Sequence, residues 1–73
     1  MNADKMFEEL GYKIVINSES VIKYEDVENE DLNIVFNKDY KVIYGYPTYD
    51  YFCDMPILKA INKKCLELGW LGA

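Results

Sequence analysis

Two nearly identical helix stops bracket this chain. Glu9-Leu10-Gly11-Tyr12 lies near one end, and Glu67-Leu68-Gly69-Trp70 echoes it near the other. A glycine just past a helix takes the left-handed backbone conformation without the clash a Cβ brings, and the aromatic that follows packs back onto the last turn. The echo therefore predicts two helices with the same ending, one at each end, and confines any sheet to the residues between them. A single echo does not make a repeat architecture. With 73 residues in all, the chain is long enough for one domain, 1–73, and one core.

The helices can be read further. Asn2 or Asp4 caps the first, and Met6, Phe7 and Leu10 form its apolar stripe. For the second, Asp54 is the cap, Pro56 falls in the first turn where a missing N–H does no harm, and Ile57, Leu58, Ile61, Cys65 and Leu68 form the stripe. Four strand-like runs lie between them: Tyr12 to Ile16, Val21 to Glu25, Leu32 to Asn37, and Tyr40 to Tyr46. They alternate with period two and are rich in β-branched and aromatic residues. Asn17-Ser18-Glu19-Ser20 and Asn37-Lys38-Asp39 supply turns short enough to make neighbours antiparallel. The expected fold is α+β in the order α-β-β-β-β-α. An antiparallel sheet of three to four strands carries both helices on one face and leaves the other partly exposed. The second strand, short and ending in acids, is the weakest of the four by this reading.

Composition narrows function. The formal charge is −5, from 13 acids and 8 lysines, with no arginine and no histidine. Residues 1–37 carry nine of the acids and three lysines; the rest of the chain is nearly neutral. A net negative chain without arginine is a poor direct reader of nucleic acid, and anionic membranes repel it. No apolar run approaches the length of a membrane span, and the first residues lack the layout of a signal peptide, so a cytoplasmic protein is expected. Cys53 and Cys65, with eleven residues between them and no histidine in the chain, fit two free thiols rather than a metal site. No metal or other cofactor is expected. The catalytic search is negative as well: there is no histidine base, no Gly-rich phosphate loop, and no pair of carboxylates that the pattern places in a pocket.

Three features remain. Glu25-Asp26-Val27-Glu28-Asn29-Glu30-Asp31 has five acids in seven residues. It is either a solvated loop or an acidic surface for a basic partner, with Glu25, Asp26, Glu28, Glu30 and Asp31 as contacts. Its spacing does not fit a calcium loop. Tyr44-Gly45-Tyr46-Pro47-Thr48-Tyr49-Asp50-Tyr51-Phe52 has five aromatics in nine residues. Its tyrosines cover the sheet, with Phe52 entering the core, or Tyr44, Tyr46, Tyr49 and Tyr51 form a protein interface. Lys59, Lys63 and Lys64 read as a basic, solvated edge of the second helix.

The two ends, Ala3-Asp4-Lys5-Met6-Phe7-Glu8-Glu9-Leu10-Gly11-Tyr12 and Ala60-Ile61-Asn62-Lys63-Lys64-Cys65-Leu66-Glu67-Leu68-Gly69-Trp70-Leu71, resemble a family of small, largely uncharacterised proteins. They occur in phages and prophages of low-GC Gram-positive bacteria. The resemblance carries no catalytic or ligand residue. It implies a context in which small acidic proteins bind and block host factors, some by presenting acids in place of DNA phosphates. The leading expectation is a non-enzymatic protein that binds a host or phage protein through 25–31, the tyrosine cluster, or both. The alternatives are a homodimer paired through the Tyr40–Tyr46 region and a weak nucleic-acid binder.

Overall fold

The computed structural model describes residues 1–46 and 54–72, with the side chain of Tyr46 excepted. It has the expected order. Helix α1 spans Ala3–Glu9, strands β1 to β4 span Tyr12–Asn17, Val21–Asp26, Asn33–Asn37 and Val42–Tyr46, and helix α2 spans Met55–Glu67. The strands form one antiparallel sheet in the order β1-β2-β3-β4.

The helix ends follow from their sequences. Asn2 caps α1, its Oδ1 accepting from the Lys5 N–H at 2.8 Å. Asp54 caps α2, its Oδ1 accepting from the Ile57 N–H at 3.0 Å. Gly11 and Gly69 sit at φ +89° and +76°. Nothing lies within 4 Å of where a Cβ would stand at either glycine, so the requirement is for the backbone angle and not for space. After α2 the Trp70 N–H donates to the Cys65 carbonyl and the Gly69 N–H to the Leu66 carbonyl. These two bonds satisfy carbonyls that the helix end would otherwise leave bare. After α1 the Gly11 N–H donates to the Glu8 carbonyl, and Tyr12 packs edge-on against Phe7 with ring centroids 6.2 Å apart.

The core is aromatic and lies between the helices and one sheet face. Phe7, Tyr12, Ile22, Tyr24, Ile34, Phe36, Ala60 and Cys65 are buried, and Trp70 packs against Phe36. Phe7 stacks on Tyr24 at 4.1 Å and meets Phe36 edge-on. β2, expected to be the weakest strand, is a central one. It pairs with neighbours on both sides and supplies Ile22 and Tyr24 to the core. Its terminal acids sit at the sheet's end, where they need no burial.

The helix stripe also differs from expectation. Leu58 is exposed, whereas Ala60 and Lys64 are buried. The face that meets the sheet runs through Ile57, Ala60, Ile61, Lys64, Cys65 and Leu68, the 3–4 spacing of one helix side. Lys64 therefore leaves the expected solvated edge, in which Lys59 is exposed and Lys63 half-buried.

Two strands depart from simple alternation. β1 pairs Ile14 with Tyr24 and then Ile16 with Lys23, so Val15 is the extra residue of a bulge. Ile14, Val15 and Ile16 are all exposed, and only Tyr12 of this strand is buried. β4 begins at Val42; Tyr40 belongs to the preceding turn and is 80% exposed. Lys41 there has a positive φ, and the Asn37 side chain accepts from the Tyr40 N–H. A turn with those constraints consumes residues that alternation alone assigns to the strand. On the outer sheet face Val35, bracketed in register by Lys23 and Tyr44, is nonetheless buried, as is Asn33.

Candidate functional site

The acidic segment is part strand and part loop. Glu25 and Asp26 end β2 and are half-buried; Val27 to Asp31 are exposed. Glu25 pairs with Lys23 at 3.4 Å. Asp26 turns the chain: its Oδ1 accepts from the N–H groups of Glu28 and Asn29 at 2.8 and 3.1 Å. Asn29 repeats the device, accepting from the Asp31 N–H at 3.0 Å, and the Leu32 N–H closes back on the Asn29 carbonyl. Side chains that mimic backbone turns make the loop a braced structure. Glu28, Glu30 and Asp31 make no ion pair with any described residue. They border an open, polar depression of about 460 Å³ together with Lys13 and Glu25.

The tyrosines are brought only partly alongside. Tyr46 lies opposite Asn33, which lies opposite Glu25, so the end of β4 shares the sheet end that carries the acids. Tyr44 is one outer-face pair further in, at 38% exposure. Tyr49 and Tyr51 lie outside the described residues, as do Phe52 and Cys53. Of the two cysteines only Cys65 is described. It is a buried free thiol whose ionisation burial pushes up. Among the described residues no three metal-ligating side chains converge, and no helix is long and apolar enough to cross a membrane.

A second set of charges is one that sequence reasoning missed. The Lys64 Nζ lies 3.3 Å from Asp4 Oδ1 and 3.8 Å from Glu67 Oε1. The Tyr24 hydroxyl donates to the same Asp4 oxygen in a short bond, and the Ala3 N–H donates to Glu67 Oε2 at 2.8 Å. Burial, and then the hydrogen bond and charge of Asp4, hold the Tyr24 phenol protonated far above its usual range. Glu67 thus sits at the first N–H of α1, where a carboxylate suits the helix dipole. The network staples the start of α1 to the last turn of α2. At the opposite end Met6, Glu9 and Leu10 share a small cleft with Pro56 and Lys59, so the helices run antiparallel. Spacing puts Ala60, Lys64 and Leu68 on one helix face, but no local pattern joins Lys64 to Asp4.

Beside this network is a cavity of about 360 Å³ lined by Asp4 and Glu8 of α1, Tyr12 and Ile14 of β1, Tyr24 of β2, and Val27. It exists because α1 is a short helix lying beside an edge strand.

No family model, curated protein or solved structure matches the chain.

Proposed function

We propose that the chain is a non-enzymatic interaction protein of phage or prophage origin, which binds a basic surface on a host or phage protein through its β2–β3 loop. The observation that carries this reading is the braced loop with Glu28, Glu30 and Asp31 exposed and unpaired among the described residues. A braced loop holds its charges in place before binding and so loses little conformational freedom when a partner docks. Its carboxylates complement a lysine- or arginine-rich surface and steer it in. A factor that acts on nucleic acid presents such a surface. Acids occupying it in place of phosphates make the chain an inhibitor of that factor.

Affinity capture from a lysate of a Gram-positive host tests this, with the triple variant Glu28→Lys, Glu30→Lys, Asp31→Lys alongside. One stoichiometric partner that is captured by the native chain and lost by a folded triple variant is the expected result. Equal capture by both would reject the acidic-loop reading. Recovery of nothing but the chain itself would move the weight to self-association.

A further inference from the structure

We propose that the cavity between α1 and β1 is a receptor for a lysine or arginine side chain, delivered by an extended segment of a partner protein that adds to the free edge of β1. This rests on the reading that the partner is basic, and names where it engages.

The edge comes first. β1 pairs only with β2 among the described residues. The Val27 N–H donates to the Gly11 carbonyl at 2.8 Å, which sets the phase of the ladder. Antiparallel pairs alternate between hydrogen-bonded and non-hydrogen-bonded positions, so Lys13–Glu25 is the next bonded pair. The N–H and C=O groups of Tyr12 and Ile14 therefore face away from β2. These are the groups an incoming strand uses, with pockets for its alternate side chains supplying selectivity. Native edges are blunted by charge, proline or a bulge. Here the bulge at Val15 limits the usable edge to its first half, the half beside the cavity.

The cavity selects for a long cationic side chain. Tyr12, Ile14 and Val27 give it apolar walls that suit the methylene stem of such a residue. Asp4 and Glu8, one helical turn apart on α1, bring carboxylates to its mouth, both substantially exposed. Both contacts of Asp4 use Oδ1, and Oδ2 makes none with the described residues. Glu8 has only a loose 3.8 Å pairing with the exposed Lys5, which an incoming cation can replace. Lys13 borders the cavity, but strand alternation sends its side chain to the opposite sheet face from Tyr12 and Ile14. The aromatic faces add attraction for a cation within reach of a ring. Val27 joins the cavity directly to the acidic loop, so one basic segment can engage both.

The test is an NMR titration of the whole chain with a blocked pentapeptide alternating threonine and lysine, and with its norleucine counterpart. The lysine peptide is expected to shift the amides of Asp4, Glu8 and Tyr12 to Ile16, and to slow hydrogen exchange at Tyr12 and Ile14. The norleucine peptide is expected to bind about tenfold more weakly, equivalent to about 1.4 kcal/mol. Glu8→Lys leaves the buried network untouched and is expected to abolish these shifts; Asp4→Asn is the second variant. Equal binding of the two peptides, no effect of Glu8→Lys, or no binding at all would overturn the cavity assignment. Shifts confined to 25–31 would overturn it too, while leaving the acidic loop as a binding surface. The loop triple variant in the capture experiment judges that surface separately.

Discussion

The molecule treats carboxylates in two opposite ways. At the helix staple, Asp4 and Glu67 are held by Lys64, the Tyr24 hydroxyl and a backbone N–H, and the lysine is almost wholly enclosed. In the β2–β3 loop, Glu28, Glu30 and Asp31 are exposed and make no ion pair among the described residues. The difference teaches which charges hold the fold and which remain available to a partner. A buried ion loses hydration that only close partners can replace, whereas a solvated one is nearly neutral for stability.

This contrast can be broken by substitution. Tyr24→Ala removes a core ring and the donor to Asp4 together, and is expected to lower stability by about 3–5 kcal/mol in urea denaturation. Lys64→Ala leaves two carboxylates facing each other across the helix ends. Because Asp4 is half-exposed, the expected loss is smaller, about 1–3 kcal/mol. A loss no larger than that of a surface substitution would mean the staple is ornamental.

Alkaline titration sharpens the same contrast. Burial raises the Cys65 thiol and, with nearby acids, the Tyr12 and Tyr24 phenols above their ordinary values of 9.0, 10.0 and 10.0. The folded chain then keeps protons that the unfolded chain releases. Stability from these groups is intact below about pH 9 and falls as pH rises past their unfolded values. Each costs about 1.4 kcal/mol per pH unit between the ionisation of its unfolded form and that of its folded form. Unfolding free energies at pH 8 and pH 11 are expected to differ by at least about 1.4 kcal/mol, the share of Tyr24 alone, and Tyr24→Phe to shrink the gap. Identical free energies would show that the phenol is not held as described.

The smallest effect belongs to the loop. Reversing Glu28, Glu30 and Asp31 to lysine changes six charge units, from −5 to +1, yet is expected to alter stability by less than about 0.5 kcal/mol. A loss as large as that of Lys64→Ala would erase the distinction between the two regions.

Much of the architecture was legible because it rests on local chemistry. Gly11, Gly69, Asn2, Asp54 and Pro56 each announce a helix boundary through a backbone requirement that one residue type meets best. The strands showed in their alternation. What local patterns could not show were long-range choices. Lys64 reads as a surface lysine until Asp4, far away in sequence, is placed beside it. β1 alternates in sequence, but an edge strand with a bulge has no layer to bury Ile14, Val15 or Ile16. The acidic run was legible as charge, whereas its division into a strand end tied to Lys23 and a braced loop depended on the register between β2 and β3. The cavity left no trace in the pattern, since it is the space between elements.

The staple also bears on how long the folded state lasts. Its bonds between the two helices join residues separated by 60 and 64 positions, whereas each hairpin of the meander joins near neighbours. Hairpins close early because little chain must be confined; bringing the two helices together closes almost the whole chain and comes later. Interactions made after the rate-limiting step do little for the speed of folding and act mainly on the rate of escape. The Asp4–Lys64–Glu67 cluster is therefore expected to act as a latch on the lifetime of the domain, setting how long it survives between openings.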